Sequence, residues 1–258
     1  MSRRILIHAG FHKTGTTTLQ VTLAQNARLF MPHVEVYLQH GVLLSSLTQA
    51  VLEFSGNRGK RTRDNLRTQA EVFFSTIDLS DPRPVLISSE SLSGHFPGAS
   101  GVSKYAPAPL AIETIRDAWV HVTGSPEGFE TYYSTRRTGW LASCHWQRLK
   151  NARSKISMED YCEKFAAAAD HGKFIGDIQE KIGSHAVHTV AIEDIDHPVD
   201  PVLDILNLTH LREDVVIPKN ANVSPDQNTK DALLALNRGP LTGLEFQKAR
   251  SAMLRGSA

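Results

Sequence analysis

Two hydrophobic periods alternate along this chain. Short β-rich runs occupy residues 4–8, 34–38, 85–89, 129–135 and 186–192, and segments with apolar residues three or four apart lie between them. Leu19, Leu23, Ala27 and Phe30 fall on one helical face. So do Leu66, Ala70, Phe73 and Ile77, and likewise Ile112, Ile115, Trp119 and Val122. Further helices are expected across 139–150, 158–168 and 200–208, and in the tail beyond Asp226. Strands that alternate with helical patterns predict an α/β domain built on a central, mostly parallel sheet flanked by helices.

No internal repeat and no linker rich in Gly, Pro or charge divides the chain, so residues 1–258 are expected to form a single domain. Three stretches read as long loops: 55–63, which is basic, 96–109, which is rich in Gly and Pro, and 216–226, which is polar and extended. Composition narrows the partners. With 28 Lys and Arg against 27 Asp and Glu, the net charge of +1 gives no extended footprint for nucleic acid or an anionic membrane. Any anion has to be held locally. Cys144 and Cys162 lack metal-ligand spacing and fall within helical patterns, so they read as reduced packing residues. No apolar run reaches the roughly 20 residues of a membrane span, and the first strand begins too early for a signal peptide. A cytoplasmic protein is the expectation. The oligomeric state is left open.

The candidate chemistry lies in Ile5-Leu6-Ile7-His8-Ala9-Gly10-Phe11-His12-Lys13-Thr14-Gly15-Thr16-Thr17-Thr18-Leu19-Gln20. Gly10 and Gly15 carry the glycine spacing of the nucleotide-binding loop G-x-x-x-x-G-K-[ST], set between a strand and an amphipathic helix. Backbone N–H groups of Thr14 to Thr17 are expected to converge on an anion, with help from the threonine hydroxyls, Thr18 included, and from the positive end of the helix. Thr16 stands where ATP and GTP enzymes have their lysine, and Lys13 lies ahead of the second glycine instead. Strand 85–89 ends in Ser88-Ser89-Glu90 without a confirming context for a magnesium carboxylate, so no metal is assigned.

Lys13-Thr14-Gly15-Thr16-Thr17 resembles the 5′-phosphosulfate loop of sulfotransferases that use 3′-phosphoadenosine 5′-phosphosulfate (PAPS), and "HKTGTTTLQ" is similar to a bacterial branch of that family. The resemblance implies a three-layer, P-loop-NTPase-like α/β fold, PAPS as donor, and transfer of a sulfuryl group to a hydroxyl or amine of a small or medium-sized acceptor. The product would be the desulfated nucleotide, PAP. In the family the loop lysine contacts the phosphosulfate and stabilises charge on the departing phosphate oxygen, a role that falls to Lys13. The chemistry agrees, because sulfuryl transfer needs fixed cationic donors where charge develops.

The resemblance also implies a 3′-phosphate site made by an arginine after a strand and a serine on the next helix. Here Arg136 or Arg137 with Ser143 fill those places, Arg136 one residue and Arg137 two residues closer to the serine than in the family's spacing. "NANVSPD" is similar to the family's polar loop after its last core helix, and Arg238-Gly239 stands in for its Gly-rich cofactor loop. A base for the acceptor's proton is sought among carboxylates and the 12 histidines. His40, after the second strand, is the first candidate and Glu90 the second, with His12 and His95 behind them. A P-loop kinase or phosphotransferase and a non-catalytic PAP-binding protein remain as alternatives.

Overall fold

The computed structural model describes residues 3–99, 101–218 and 226–255. Among the described residues, five strands form one sheet: β1 (Ile5–His8), β2 (Glu35–Leu38), β3 (Val85–Ser88), β4 (Phe129–Thr135) and β5 (Val187–Ala191). Their order is β2-β3-β1-β4-β5, and every neighbouring pair is parallel. The expected strands are thus present with ends shifted by at most one residue.

Helices α1 (Thr16–Gln25), α2 (Ala27–Phe30), α3 (Val42–Gly56), α4 (Lys60–Phe74) and α5 (Ala108–Thr123) belong to the first half of the chain. They are followed by α6 (Trp140–Ala152), α7 (Met158–Phe165), α8 (His171–Ile182), α9 (Asp200–Ile205), α10 (Gln227–Arg238) and α11 (Gly243–Arg255).

Side-chain alternation along the strands sorts these helices into two outer layers. Ile5, Ile7, Val85, Ile87, Phe129 and Tyr133 enter a large core shared with α3, α4, α5 and α8. Leu6, Leu86 and Tyr132 point the other way, into a smaller core with Leu19, Leu23, Phe30 and Val202. Both faces of the sheet are covered, as an all-parallel sheet requires. The result is the expected three-layer, P-loop-like α/β architecture.

Three expectations change. The apolar face through Leu19, Leu23, Ala27 and Phe30 is interrupted at Asn26, which separates α1 from α2 and leaves Ala27 exposed. The buried Asn26 side chain explains the break: its Nδ2 donates to the Thr22 and Val216 carbonyls, each at 2.8 Å, and its Oδ1 accepts from Val216 N–H at 2.9 Å. Secondly, the basic stretch 55–63 is mostly helical, because α3 runs through Gly56 and α4 starts at Lys60. Arg63 then turns inward to Thr114 Oγ1 at 3.1 Å and pairs with Glu113. Thirdly, the stretch 96–109 is shortened by α5, and its Tyr105 is wholly buried. Residues 219–225, which hold all of "NANVSPD" except Asp226, and the terminal Gly256-Ser257-Ala258 lie outside the described residues.

Candidate active site

In a parallel sheet, ligands bind outside the carboxyl ends of the strands where the chain reverses its direction of travel across the sheet. That point is β1, flanked by β3 and β4. The loop from Ala9 to Gly15 leaves β1 there, and Glu90 and Arg136 follow β3 and β4 at the same end.

Sterics explain the two loop glycines. A Cβ on Gly10 would stand 2.6 Å from Ser134 Oγ and 2.7 Å from His8 Nε2, both on buried residues. Gly15 has φ +89°, and its Cβ would meet Pro198 at 3.0 Å. Lys13 also adopts a left-handed backbone, with φ 67°. For a non-glycine residue this costs about 1–3 kcal/mol, a strain that tends to occur at ligand clamps. Thr14 is wholly buried, and its hydroxyl is spent inside the loop: it donates to the Phe11 carbonyl and lies 2.7 Å from Ser134 Oγ.

Turned this way, the loop leaves its donors open. Among the described residues, the backbone N–H groups of Lys13, Thr14, Gly15, Thr16, Thr17 and Thr18 have no hydrogen-bond partner. The first intrahelical bond runs from Leu19 N–H to the Gly15 carbonyl at 3.0 Å. The hydroxyls of Thr16, Thr17 and Thr18 are likewise without a partner among those residues. Six consecutive amides without a partner at the start of a helix are the donor set that anion nests use.

Two further cations, Lys150 and Arg136, act on the loop's Lys13. Lys13 makes no ion pair among the described residues, and its ammonium is held below its ordinary pKa, first by burial and then by the like charge of Lys150, with Arg136 adding to the effect. Glu90 acts in the opposite sense. Lys150 was no sequence candidate. Its signal was its position two helical turns after Ser143, which puts both on one face of α6. Arg136 donates through Nη1 to Ser143 Oγ at 3.0 Å and through Nε to the Thr138 carbonyl at 2.9 Å. The shortened spacing therefore still joins Arg136 to Ser143. Arg137 is exposed and faces away, forming a two-pronged pair with Asp194 at 2.6 and 2.5 Å.

Glu90 starts a short 3₁₀ turn after β3, and its Oε2 accepts from Gln20 Nε2 on α1 at 2.9 Å. His40 lies beyond edge strand β2, exposed, with β3 between its strand and β1. Its neighbour Gln39, not His40 itself, touches the next strand end, through Ser89 at 3.2 Å. The stand-in pair Arg238-Gly239 ends α10, where Arg238 donates to the Lys155 carbonyl at 2.9 Å.

The sequence reading missed what lies under the loop. Phe11 stacks on His171 with ring centroids 4.5 Å apart, and Tyr105, Tyr133 and Trp140 complete an aromatic floor. His8 is buried on the other face of the sheet, against Tyr132 with ring centroids 5.2 Å apart, and its Nδ1 lies 2.8 Å from Ser88 Oγ. Burial lowers the His8 pKa to about 3. A histidine buried neutral contributes stability that is complete above its unfolded pKa near 6.5 and is lost as pH falls toward the folded value. Thermal denaturation should therefore show Tm dropping as pH decreases from about 6.5, and His8→Asn should flatten that dependence. An unchanged slope in the variant would contradict this origin.

No protein-family model matches the sequence, and no curated protein does. Among solved structures, a sulfotransferase from Alicyclobacillus acidocaldarius is similar at 14% identity and a TM-score of 0.49, covering 92% of this chain and 93% of its own. At that distance, function has to be read from the residues of the loop and its surroundings.

Proposed function

We propose that this chain is a PAPS-dependent sulfotransferase that transfers a sulfuryl group to a hydroxyl or amine of a small or medium-sized acceptor. The observation that carries this reading is the row of six amides from Lys13 to Thr18, in the same loop as the Lys13 ammonium, all without a partner among the described residues. The amides and the Thr16, Thr17 and Thr18 hydroxyls hold the 5′-phosphosulfate. The acceptor oxygen or nitrogen attacks sulfur, the bond from sulfur to the 5′-phosphate oxygen breaks, and the charge that appears on PAP is met by Lys13. The acceptor's proton passes to a base, which we assign to Glu90 in preference to His40. Glu90 follows a strand next to β1 and is close enough to Lys13 to influence its charge, whereas His40 follows the sheet edge.

Arg136 and Ser143 bind the 3′-phosphate in this reading. Arg137 is excused because Asp194 already neutralises it. Arg136→Ala should weaken PAP binding roughly ten- to a hundredfold, the equivalent of losing about 1.5–3 kcal/mol of charged hydrogen bonding. Arg137→Ala should leave binding unchanged in isothermal titration calorimetry. Loss of affinity in Arg137→Ala alone would reverse the assignment.

The activity itself is tested by transfer of labelled sulfate from PAPS to a panel of acceptors. A thermal-shift comparison separates donors: PAP should stabilise the protein and Mg-ATP should not. Stabilisation by Mg-ATP alone would point to phosphoryl transfer instead.

A further inference from the structure

His12 stands next to Lys13, has no part in the chemistry above, and is held more firmly than any solvated loop histidine needs to be. Its backbone N–H donates to Tyr105 Oη at 3.3 Å, its carbonyl accepts from Trp140 Nε1 at 2.7 Å, and its ring Nδ1 lies 3.0 Å from the same Tyr105 Oη. Phe96 meets the ring edge-on at 5.3 Å, and the Tyr105 ring lies nearly parallel to it at 6.0 Å. The backbone and the imidazole are therefore held by groups on two other segments of the chain, the stretch 96–109 and the start of α6.

The tautomer follows from counting protons. Tyr105 is wholly buried, and its oxygen already accepts the His12 N–H. Among the described residues, Nδ1 is the one acceptor within reach of the Tyr105 hydroxyl proton. Were Nδ1 itself protonated, that hydroxyl proton would be buried without an acceptor, at a cost of about 1–3 kcal/mol. The phenol keeps its proton, since burial raises its pKa well above the ordinary value. The ring stays uncharged because burial, then Lys13 and His95, lower its pKa to about 3. His12 is half-buried and Tyr105 is not exposed at all; with Nδ1 on Tyr105 Oη, Nε2 is the ring nitrogen that makes no hydrogen bond among the described residues.

We propose that Tyr105 fixes His12 as its Nε2–H tautomer, so that His12 presents a neutral N–H donor beside Lys13 to an oxygen of the group being transferred. The donor role rests on the sulfuryl-transfer reading; the tautomer does not. A neutral donor suits this place, because Lys150 and Arg136 already act on Lys13 with like charge. A protonated Nε2 also removes His12 from the candidates for general base. Tyr105 is then a positioning residue that acts through His12.

Isotope-edited NMR of the histidine ring nitrogens, assigned with His12→Gln, tests the tautomer. Nε2 should be protonated and Nδ1 hydrogen-bonded but unprotonated, without titration between about pH 5 and pH 8. Tyr105→Phe should shift the Nδ1 signal. A protonated Nδ1, or an imidazolium titrating in that range, would overturn the proposal. In sulfate-transfer assays His12→Ala should lower kcat by about a hundredfold with little change in KM, and His12→Gln, which keeps an N–H donor, should recover part of the loss. Unchanged kcat in His12→Ala would remove the donor role. If the protein transfers no sulfuryl group at all, an Nε2–H proton that moves on adding PAP or inorganic sulfate still supports the donor, and one that does not move overturns it.

Discussion

Lys13→Ala is expected to lower turnover with PAPS by about two to three powers of ten, the effect of removing a fixed donor from a developing oxyanion, without lowering thermal stability. The two halves of this expectation have one cause. Lys13 is a partly buried cation with no ion pair among the described residues, and burial together with Lys150 pulls its pKa down. The sign of the linkage follows: a lysine whose folded pKa lies below its unfolded value burdens the folded state at neutral pH, and the burden lifts as pH rises through the folded pKa. Alanine removes the burden, so Tm of the variant should equal or exceed that of the parent. An anion relieves it differently, by favouring the charged ammonium. PAP binding should therefore take up protons and weaken as pH rises through the lowered pKa of Lys13. Labelled-sulfate transfer, thermal denaturation and calorimetry in buffers of different ionisation heat read these effects. Undiminished turnover would remove Lys13 from the chemistry.

How much of this was legible in the sequence depended on how far apart the deciding partners lie. The strands were readable from short β-rich runs, fully buried in β1 and β3 and interspersed with polar residues in β2, β4 and β5, and the loop after β1 because Gly10 and Gly15 mark positions where a Cβ has no room or no allowed backbone. Helix α3 was harder, since Val42 and Leu43 are 88% and 57% exposed and blur the face made by Leu44, Leu47, Val51 and Phe54. Asn26 broke a continuous helical pattern through its side-chain bonds to Val216, far along the chain. The same distance problem separates Arg136 from Arg137. The two are adjacent and chemically alike, and what distinguishes them is an aspartate in another segment, Asp194. The hold of Tyr105 on His12 spans loops on either side of two strands, which no local period encodes.

Glu90→Gln should reduce kcat for a hydroxyl acceptor by about 10²- to 10⁴-fold, the range typical of general-base removal, while PAP binds as well as before or more tightly. The substitution is nearly silent in shape. Gln20 Nε2 donates to Glu90 Oε2 at 2.9 Å, and a glutamine can offer its amide oxygen to the same donor. What it cannot do is take a proton. It also removes the negative charge that partly offsets the cations around Lys13, so the cation cluster becomes more attractive to a phosphate. A fall in kcat with retained or improved PAP affinity is thus a signature that misfolding or loss of the nucleotide site would not produce. Acceptor acidity gives a second discriminant. An acceptor with an acidic hydroxyl is already partly ionised and needs little help, so its rate should fall less than that of an aliphatic alcohol. His40→Ala should leave both rates intact, because His40 is exposed beyond the sheet edge and β3 separates its strand from β1. If His40→Ala abolished turnover and Glu90→Gln did not, the base would have to reach the site from β2, across the turn where Gln39 meets Ser89. Glu90 would then be left with the narrower task of balancing the charge of Lys13.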